Sequence, residues 1–254
     1  MKKVKNLEKL YEKVAEEYPH DALLDSYHHT RRLEIVDKFL NKLGKNLKVL
    51  DAGCGDGIQA EIFAKNHNVT GVDISSIRIK RAKERVKKAK FYVGNLYDLD
   101  FPDNTFDVAI ASEIIEHLTD PVKALKEIKR VLKPNGYVII DLPSRSNFCD
   151  AFFRLFKIDK NLDWGLYTDK THIAFYTMGE IKDILEKAGF KPKCIRGGPT
   201  FRYNLKFFRK HFLRRKNRWW FLRLIDYILG STPYIRQFGS VQIFLAQSKK
   251  ESSG

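Results

Sequence analysis

An α/β fold built on a doubly wound, mostly parallel sheet is what this sequence predicts, and three observations predict it. From residue 48 to residue 143, short apolar runs alternate with amphipathic helical stretches, the pattern of a parallel sheet covered on both faces. The first run, Val49-Leu50-Asp51-Ala52, breaks at Gly53-Cys54-Gly55-Asp56-Gly57, a glycine loop at a strand-to-helix switch. The second, Val69-Thr70-Gly71-Val72-Asp73-Ile74, again ends in a carboxylate, 22 residues after Asp51.

The loop constrains the ligand. Glycine carries no Cβ and tolerates positive φ, so backbone N–H groups are expected close to whatever binds there. The spacing is G-x-G-x-G, whereas the dinucleotide fingerprint is G-x-G-x-x-G, and Ile58 stands where its third glycine belongs. Asp51 precedes the first glycine. A carboxylate there repels a pyrophosphate but stabilises a ligand bearing an ammonium and a sulfonium. Asp73 can accept hydrogen bonds from both hydroxyls of a ribose lying across the strand ends. A third strand, Phe91-Tyr92-Val93-Gly94-Asn95, ends in an amide, and Leu96 after it can offer a backbone N–H to a base.

Together with Leu99-Asp100-Phe101-Pro102-Asp103-Asn104-Thr105-Phe106-Asp107, these segments resemble the class I S-adenosylmethionine-dependent methyltransferases, in particular the ubiquinone/menaquinone-biosynthesis-like, type 11 group. The resemblance covers roughly residues 47–190 well and the ends loosely. It implies a Rossmann-like, seven-stranded sheet with a C-terminal antiparallel hairpin, a helical N-terminal cap and S-adenosyl-L-methionine as cofactor. Asp51, Gly53 and Gly55, with the small Cys54 between them, would hold the methionyl end. Asp73 and Ile74 would take the ribose, Asn95 and Leu96 the adenine, and Glu113 would stand beside the cofactor. Asn95 replaces the aspartate usual in the family, keeping an acceptor and losing the charge.

Element by element, residues 1–46 read as the helical cap, broken at Tyr18-Pro19-His20, with Leu33, Val36, Phe39 and Leu40 toward the core. The resemblance puts a tyrosine or arginine of this cap near the methionyl end, with Tyr11, Tyr18 and Arg31 as candidates. Residues 47–143 form the cofactor-binding core. Ser75 or Ser76 caps a basic helix running to about Lys90, and Asp120-Pro121 opens a helix over 122–132. Lys133-Pro134-Asn135-Gly136 turns the chain into a fifth strand, Tyr137-Val138-Ile139-Ile140-Asp141. Thr177 and Glu180 form a capping box for a helix over 177–187 that Gly189 stops. Residues 191–196 and 241–247 read as the last two strands. Two insertions interrupt this single domain of 1–254: 144–171 on the substrate side, and a basic aromatic segment, 197–239.

With 254 residues, 43% hydrophobic and 31% charged, and a mean hydropathy of −0.39, the composition describes a soluble globular domain with a sizeable core. No N-terminal signal pattern and no run near the ~20 apolar residues of a membrane span is present, so a cytoplasmic protein, at most associated with a membrane surface, is expected. Cys54, Cys149 and Cys194 have no metal spacing and read as reduced thiols. The net charge of +16 is concentrated: residues 191–240 hold 13 Lys and Arg against one acid, Asp226.

Methyl transfer from a sulfonium is an in-line displacement that needs positioning and exclusion of water, and a base only where the acceptor must lose a proton. No Asn-Pro-Pro-aromatic segment follows the fourth strand, which disfavours amide or exocyclic nitrogen as acceptor, and no cysteine stands there to attack a pyrimidine. Instead comes Ser112-Glu113-Ile114-Ile115-Glu116-His117-Leu118. A helical turn starting at Glu113 puts Glu113, Glu116 and His117 on one face, and His172 can approach from across the pocket. This resembles the E-x-x-E-H plus distant histidine of ubiquinone-pathway O-methyltransferases and of small-RNA methyltransferases acting on a terminal ribose. His117 and His172 are therefore the catalytic candidates, and a divalent metal could sit among the four residues to lower the pKa of an acceptor hydroxyl. Residues 201–238 interleave Phe208, Phe212, Trp219 and Trp220 with arginine and lysine. That suits an anionic membrane surface, single-stranded RNA, or plain packing on the domain. The expected activity is methyl transfer to an oxygen of a lipid-linked or amphiphilic small molecule. RNA methylation is the alternative, a non-catalytic S-adenosylmethionine-fold binding protein is the third reading, and no DNA partner is expected.

Overall fold

The computed structural model describes residues 12, 13, 16, 27–143, 172–197, 228 and 241–249, with backbone alone for 27–31. Helix α1 (Tyr27–Leu43) leads into β1 (Lys48–Ala52), α2 (Ile58–Phe63), β2 (Asn68–Asp73), α3 (Ser76–Arg85), β3 (Lys90–Val93) and β4 (Phe106–Ser112). A 3-10 turn (Ile115–His117), α4 (Pro121–Val131), β5 (Leu132–Pro143), α5 (Met178–Lys187), β6 (Phe190–Gly197) and β7 (Val241–Ser248) follow. The sheet has seven strands in the order β3-β2-β1-β4-β5-β7-β6. Pairing is parallel from β3 through β5, and β7 runs antiparallel to both β5 and β6. This is the expected architecture, C-terminal hairpin included. The chain winds outward from β1 through β2 to β3, then returns to place β4 on the other side of β1. That reversal opens a crevice at the carboxyl ends of β1 and β4, where ligands of such sheets bind.

Both faces of the sheet are covered. Val36, Leu40, Phe63, Ile79 and Ala82 from α1, α2 and α3 pack on one side with Val49, Val69 and Ile139. Leu125, Ile128, Ile181 and Leu185 from α4 and α5 pack on the other with Leu50, Ala109, Ile140 and Phe244. β4 is buried at nearly every position, as a strand covered on both faces must be. The helix starts are set locally. Ser75 accepts from the Arg78 N–H, Asp120 accepts from Lys123 ahead of Pro121, and Thr177 and Glu180 form a reciprocal capping box.

Several boundaries differ from the sequence reading, each for a local reason. The basic helix ends at Arg85 rather than near Lys90, because Val86 leaves helical geometry to enter the core, 6% exposed. β3 ends at Val93 instead of Asn95. The Gly94 N–H bonds back to the Asp73 carbonyl, and the Asn95 carboxamide oxygen accepts from the Tyr97 N–H, turning the chain away from the sheet. β5 begins at Leu132, but its pairing with β4 jumps from Leu132 to Tyr137, so Lys133-Pro134-Asn135-Gly136 bulges outward with Asn135 at φ 62°. Tyr11, Tyr18, the side chain of Arg31, Cys149, the insertion 144–171 and the basic aromatic insertion 197–239, apart from Gly197 and Ile228, lie outside the described residues.

Gly71 shows how tightly the first three strands meet. A Cβ there would stand 2.6 Å from a Phe91 ring carbon and 2.8 Å from the Cys54 sulfur. Gly71→Ala is expected to cost about 1–3 kcal/mol as an overpacked core position. Gly179→Ala, inside α5 and 3.9 Å from its nearest neighbour, should instead stabilise by about 0.4–1 kcal/mol. Urea denaturation of the two variants checks both signs.

Candidate functional site

Asp51 sits in β1 at the crevice, fully buried, and neither carboxylate oxygen has a hydrogen-bond partner. Burial, with the charges of Asp73 and Asp141 added, pushes its pKa up to about 7. The glycine loop beyond it differs from the cradle expected of it. The N–H groups of Gly53 and Cys54 donate to the Val72 carbonyl, that of Gly55 to the Asp73 carboxylate at 2.9 Å, and that of Gly57 to the Cys54 carbonyl. Those donors are consumed inside the fold, so at these positions the loop presents no anion-binding nest. Gly53 is needed for a close approach: its φ is 81°, and a Cβ would stand 2.8 Å from the Ile114 side chain. Cys54 turns its thiol into the core, where burial raises the pKa, so only its main chain is available to a ligand.

Asp73 ends β2 with one oxygen on the Gly55 N–H and the other on the Ser75 N–H, each at 2.9 Å. Burial raises its pKa, while these two bonds and Arg78 oppose the shift. Each oxygen keeps a lone pair directed elsewhere, as a ribose acceptor requires. Ile74, Val93, Gly94 and Asn95 line an open cavity of about 620 Å³ beside it, together with Glu12, Lys13 and Glu16. Leu96 is buried, 7% exposed, and packs into the core on the α4 side.

Across the crevice, Arg32 of α1 is 2% exposed and reaches Glu113 at 2.7 Å and Asp141 at 3.0 Å. The second oxygen of Asp141 accepts from the Ser112 hydroxyl, and the Glu113 N–H donates to the Asp141 carbonyl at 2.8 Å. Burial pushes the Asp141 carboxyl up to about 6, with Arg32 opposing. Glu113 itself has φ 48°, a left-handed conformation unusual for a residue with a Cβ. The helical turn therefore does not begin at Glu113. It is a single 3-10 turn over Ile115–His117, and Glu113 faces Arg32 rather than sharing a face with Glu116 and His117.

The other members of that cluster do converge. Ile173 and Ala174 both donate their N–H to the Glu116 carbonyl, which pins the start of the segment before α5 against the turn. His172 then stacks edge-on to His117 with ring centroids 4.7 Å apart, and its Nε2 lies 3.9 Å from Glu116. Glu116, His117 and His172 offer ligand atoms within 4.8 Å of one another. Neither Glu116 carboxylate oxygen has a hydrogen-bond partner, and burial first, then the Glu113 charge, raises its pKa well above the ordinary range.

Sequence reading passed over Arg32, Ser112, Asp141 and Glu12. Asp141 did carry a signal: an acid near the end of an apolar strand, the same pattern that singled out Asp51 and Asp73. Arg32 and Glu12 carried none, because their partners lie 109 and 63–64 residues away.

The unpartnered Asp51 carboxylate, the spare lone pairs of Asp73 and the cavity along Ile74 and Asn95 fit S-adenosylmethionine, whose ammonium, ribose and adenine need those groups in that order. Comparison with known proteins agrees. Residues 50–140 match a family model described as a methyltransferase domain. An uncharacterized methyltransferase of Schizosaccharomyces pombe is 36% identical over 46% of this chain and 48% of its own length, so the chain spans about half of that relative. A demethylmenaquinone methyltransferase of Listeria monocytogenes is 27% identical over 74% of the chain and 88% of the relative. The solved structure of an S-adenosylmethionine-dependent methyltransferase from Thermotoga maritima shares the fold with a TM-score of 0.64 and 21% identity, over 95% of this chain and 99% of that one. Residues 50–140 thus match a methyltransferase domain, and the chain is similar in sequence and in fold to S-adenosylmethionine-dependent methyltransferases.

Proposed function

We propose that this protein transfers a methyl group from S-adenosylmethionine to an oxygen of a lipid-linked or amphiphilic small molecule. The observation that carries the cofactor half is Asp51. A buried carboxylate with two unsatisfied oxygens calls for a cation, and an ammonium supplies both charge and donors. Asp73 with Ile74 would hold the ribose, and Asn95 with the Leu96 main chain the adenine. Gly53, Gly55 and the Cys54 main chain would give the methionyl end room beside Glu113. When bound, the cofactor supplies a methyl group already activated on a sulfonium.

The acceptor half rests on Glu116, His117 and His172. An imidazole pair beside a buried glutamate can orient a hydroxyl and take its proton, the one task an oxygen acceptor sets. One carboxylate and two imidazoles are also a donor set for a divalent metal, which would lower the hydroxyl pKa directly. Glu113 takes no part in that set, being engaged by Arg32. The likeness to a demethylmenaquinone methyltransferase supports an amphiphilic acceptor. Incubating the protein with labelled methyl donor and separate lipid and RNA extracts tests the class. Label in RNA alone would replace this reading with the RNA one, and label in neither would favour the non-catalytic binder.

Asp51 gives a pH prediction with a definite sign. Its pKa is about 7 in the folded chain, against ~3.9 for a free aspartate. Between those values the folded protein keeps a proton that the unfolded chain has lost, so stability falls as pH rises through the window and stays reduced above it. Without cofactor, Asp51→Asn should melt like wild type near pH ~4 and clearly higher than wild type at pH ~8. It should also lose S-adenosylmethionine binding. Equal melting at the upper pH would show that Asp51 has a partner.

Asp73→Ala removes a charged acceptor and should weaken S-adenosylmethionine binding by about 1.5–3 kcal/mol in calorimetry. His117→Ala should lose turnover while keeping cofactor affinity. Chelation separates the two chemistries of the cluster: loss of turnover in EDTA with recovery on Mg²⁺ or Mn²⁺ assigns a metal, and undiminished turnover leaves His117 and His172 to handle the proton alone.

A further inference from the structure

Glu12 stands 61 residues before Asp73, yet it is built into the same corner of the cleft. One of its carboxylate oxygens accepts the Ser76 N–H at 2.7 Å, and the other accepts the Ser75 hydroxyl at 3.0 Å. Those bonds hold the Glu12 pKa below the ordinary glutamate value although burial opposes the shift. Ser75 in turn donates its N–H to Asp73, whose second oxygen receives the Gly55 N–H. Four residues thus form one line, from the N-terminal segment through the turn after β2 to the glycine loop.

Capping alone does not account for the contact. The start of α3 is already capped in cis, since Ser75 Oγ accepts the Arg78 N–H at 3.3 Å. With Lys13 and Glu16, Glu12 also lines the cavity of about 620 Å³ that Ile74, Val93, Gly94 and Asn95 line beside Asp73.

We propose that Glu12 is a positioning residue of the cofactor site. It clamps the turn carrying Ser75 and Ser76 and thereby fixes the orientation of the Asp73 carboxylate. This inference rests on the reading of the cleft as an S-adenosylmethionine site.

The test is the dissociation rate and Kd of S-adenosylmethionine, by stopped flow and calorimetry, for wild type, Glu12→Ala, Glu12→Gln, Ser75→Ala and the Glu12→Ala/Ser75→Ala double variant. Glu12→Ala should speed release about three- to tenfold, the worth of one net hydrogen bond, with melting temperature and acceptor KM unchanged. Glu12→Gln keeps the length and one acceptor oxygen and should recover part of the loss. Because the two side chains act through each other, the double variant should lose less than the sum of the singles. Unchanged release from folded Glu12→Ala and Glu12→Gln, or strictly additive losses, would overturn the proposal while leaving the cofactor reading standing. A wild-type protein that binds no S-adenosylmethionine would overturn both.

Discussion

Buried negative charge without matching positive charge is the constraint on which this cleft depends. Asp51, Asp73 and Asp141 come from three neighbouring parts of the sheet's carboxyl edge, and Glu116 lies close by. Among the described residues, Arg32 is the one buried arginine or lysine set against the fully buried Asp51, Asp141 and Glu116. Desolvated carboxylates are costly unless paired or protonated, so each either finds a donor, holds a proton or waits for a cation. Asp141 finds Arg32 and Ser112, Asp73 finds two backbone N–H groups, and Asp51 finds none.

That distribution divides the cleft. The side facing β2 and β3 ends in acceptor groups with spare lone pairs, which suits a polyhydroxylated, positively charged molecule. On the side facing β5, the Arg32 ion pairs neutralise Asp141 and hold Glu113 in a left-handed conformation it would not adopt alone. The strained residue redirects the chain after β4, so that the following 3-10 turn delivers Glu116 and His117 to a place where His172 meets them. Arg32 also fastens α1 to the far strand. The N-terminal helix is therefore tied to the strand beside the Glu116–His117–His172 cluster, although 109 residues separate the pair that joins them.

Much of this was legible in the residues. The alternating pattern, the glycine loop and the strand-end acids located the sheet and its crevice, because periodicity and terminal polarity are local properties of the chain. Thr177 with Glu180, and Asp120 with Pro121, announced their helices for the same reason. Glu113 was misplaced because helical spacing presumes a helix, and nothing local to Ser112–Glu113 betrays a positive φ imposed from a distance. The loop's N–H groups were expected to meet a ligand, and instead meet Val72 and Asp73. Whether a donor is spent within the fold depends on how β1 and β2 pair, which spacing does not encode. Arg32 and Glu12 were invisible to any motif, since each gains meaning only from a partner brought near by folding.

The hairpin of β6 and β7 has a consequence for how this chain can change. Gly197 pairs with Gln242 at its open end, so residues 198–240 depart from and return to adjacent rungs of one ladder. Loop-closure entropy rises only slowly with length. A segment tethered this way can be lengthened, shortened or exchanged for a foreign sequence with little demand on the sheet beneath it. Inheritance or laboratory recombination could therefore exchange the most basic part of the chain while leaving the strand ends that carry Asp51 and Asp73 in place.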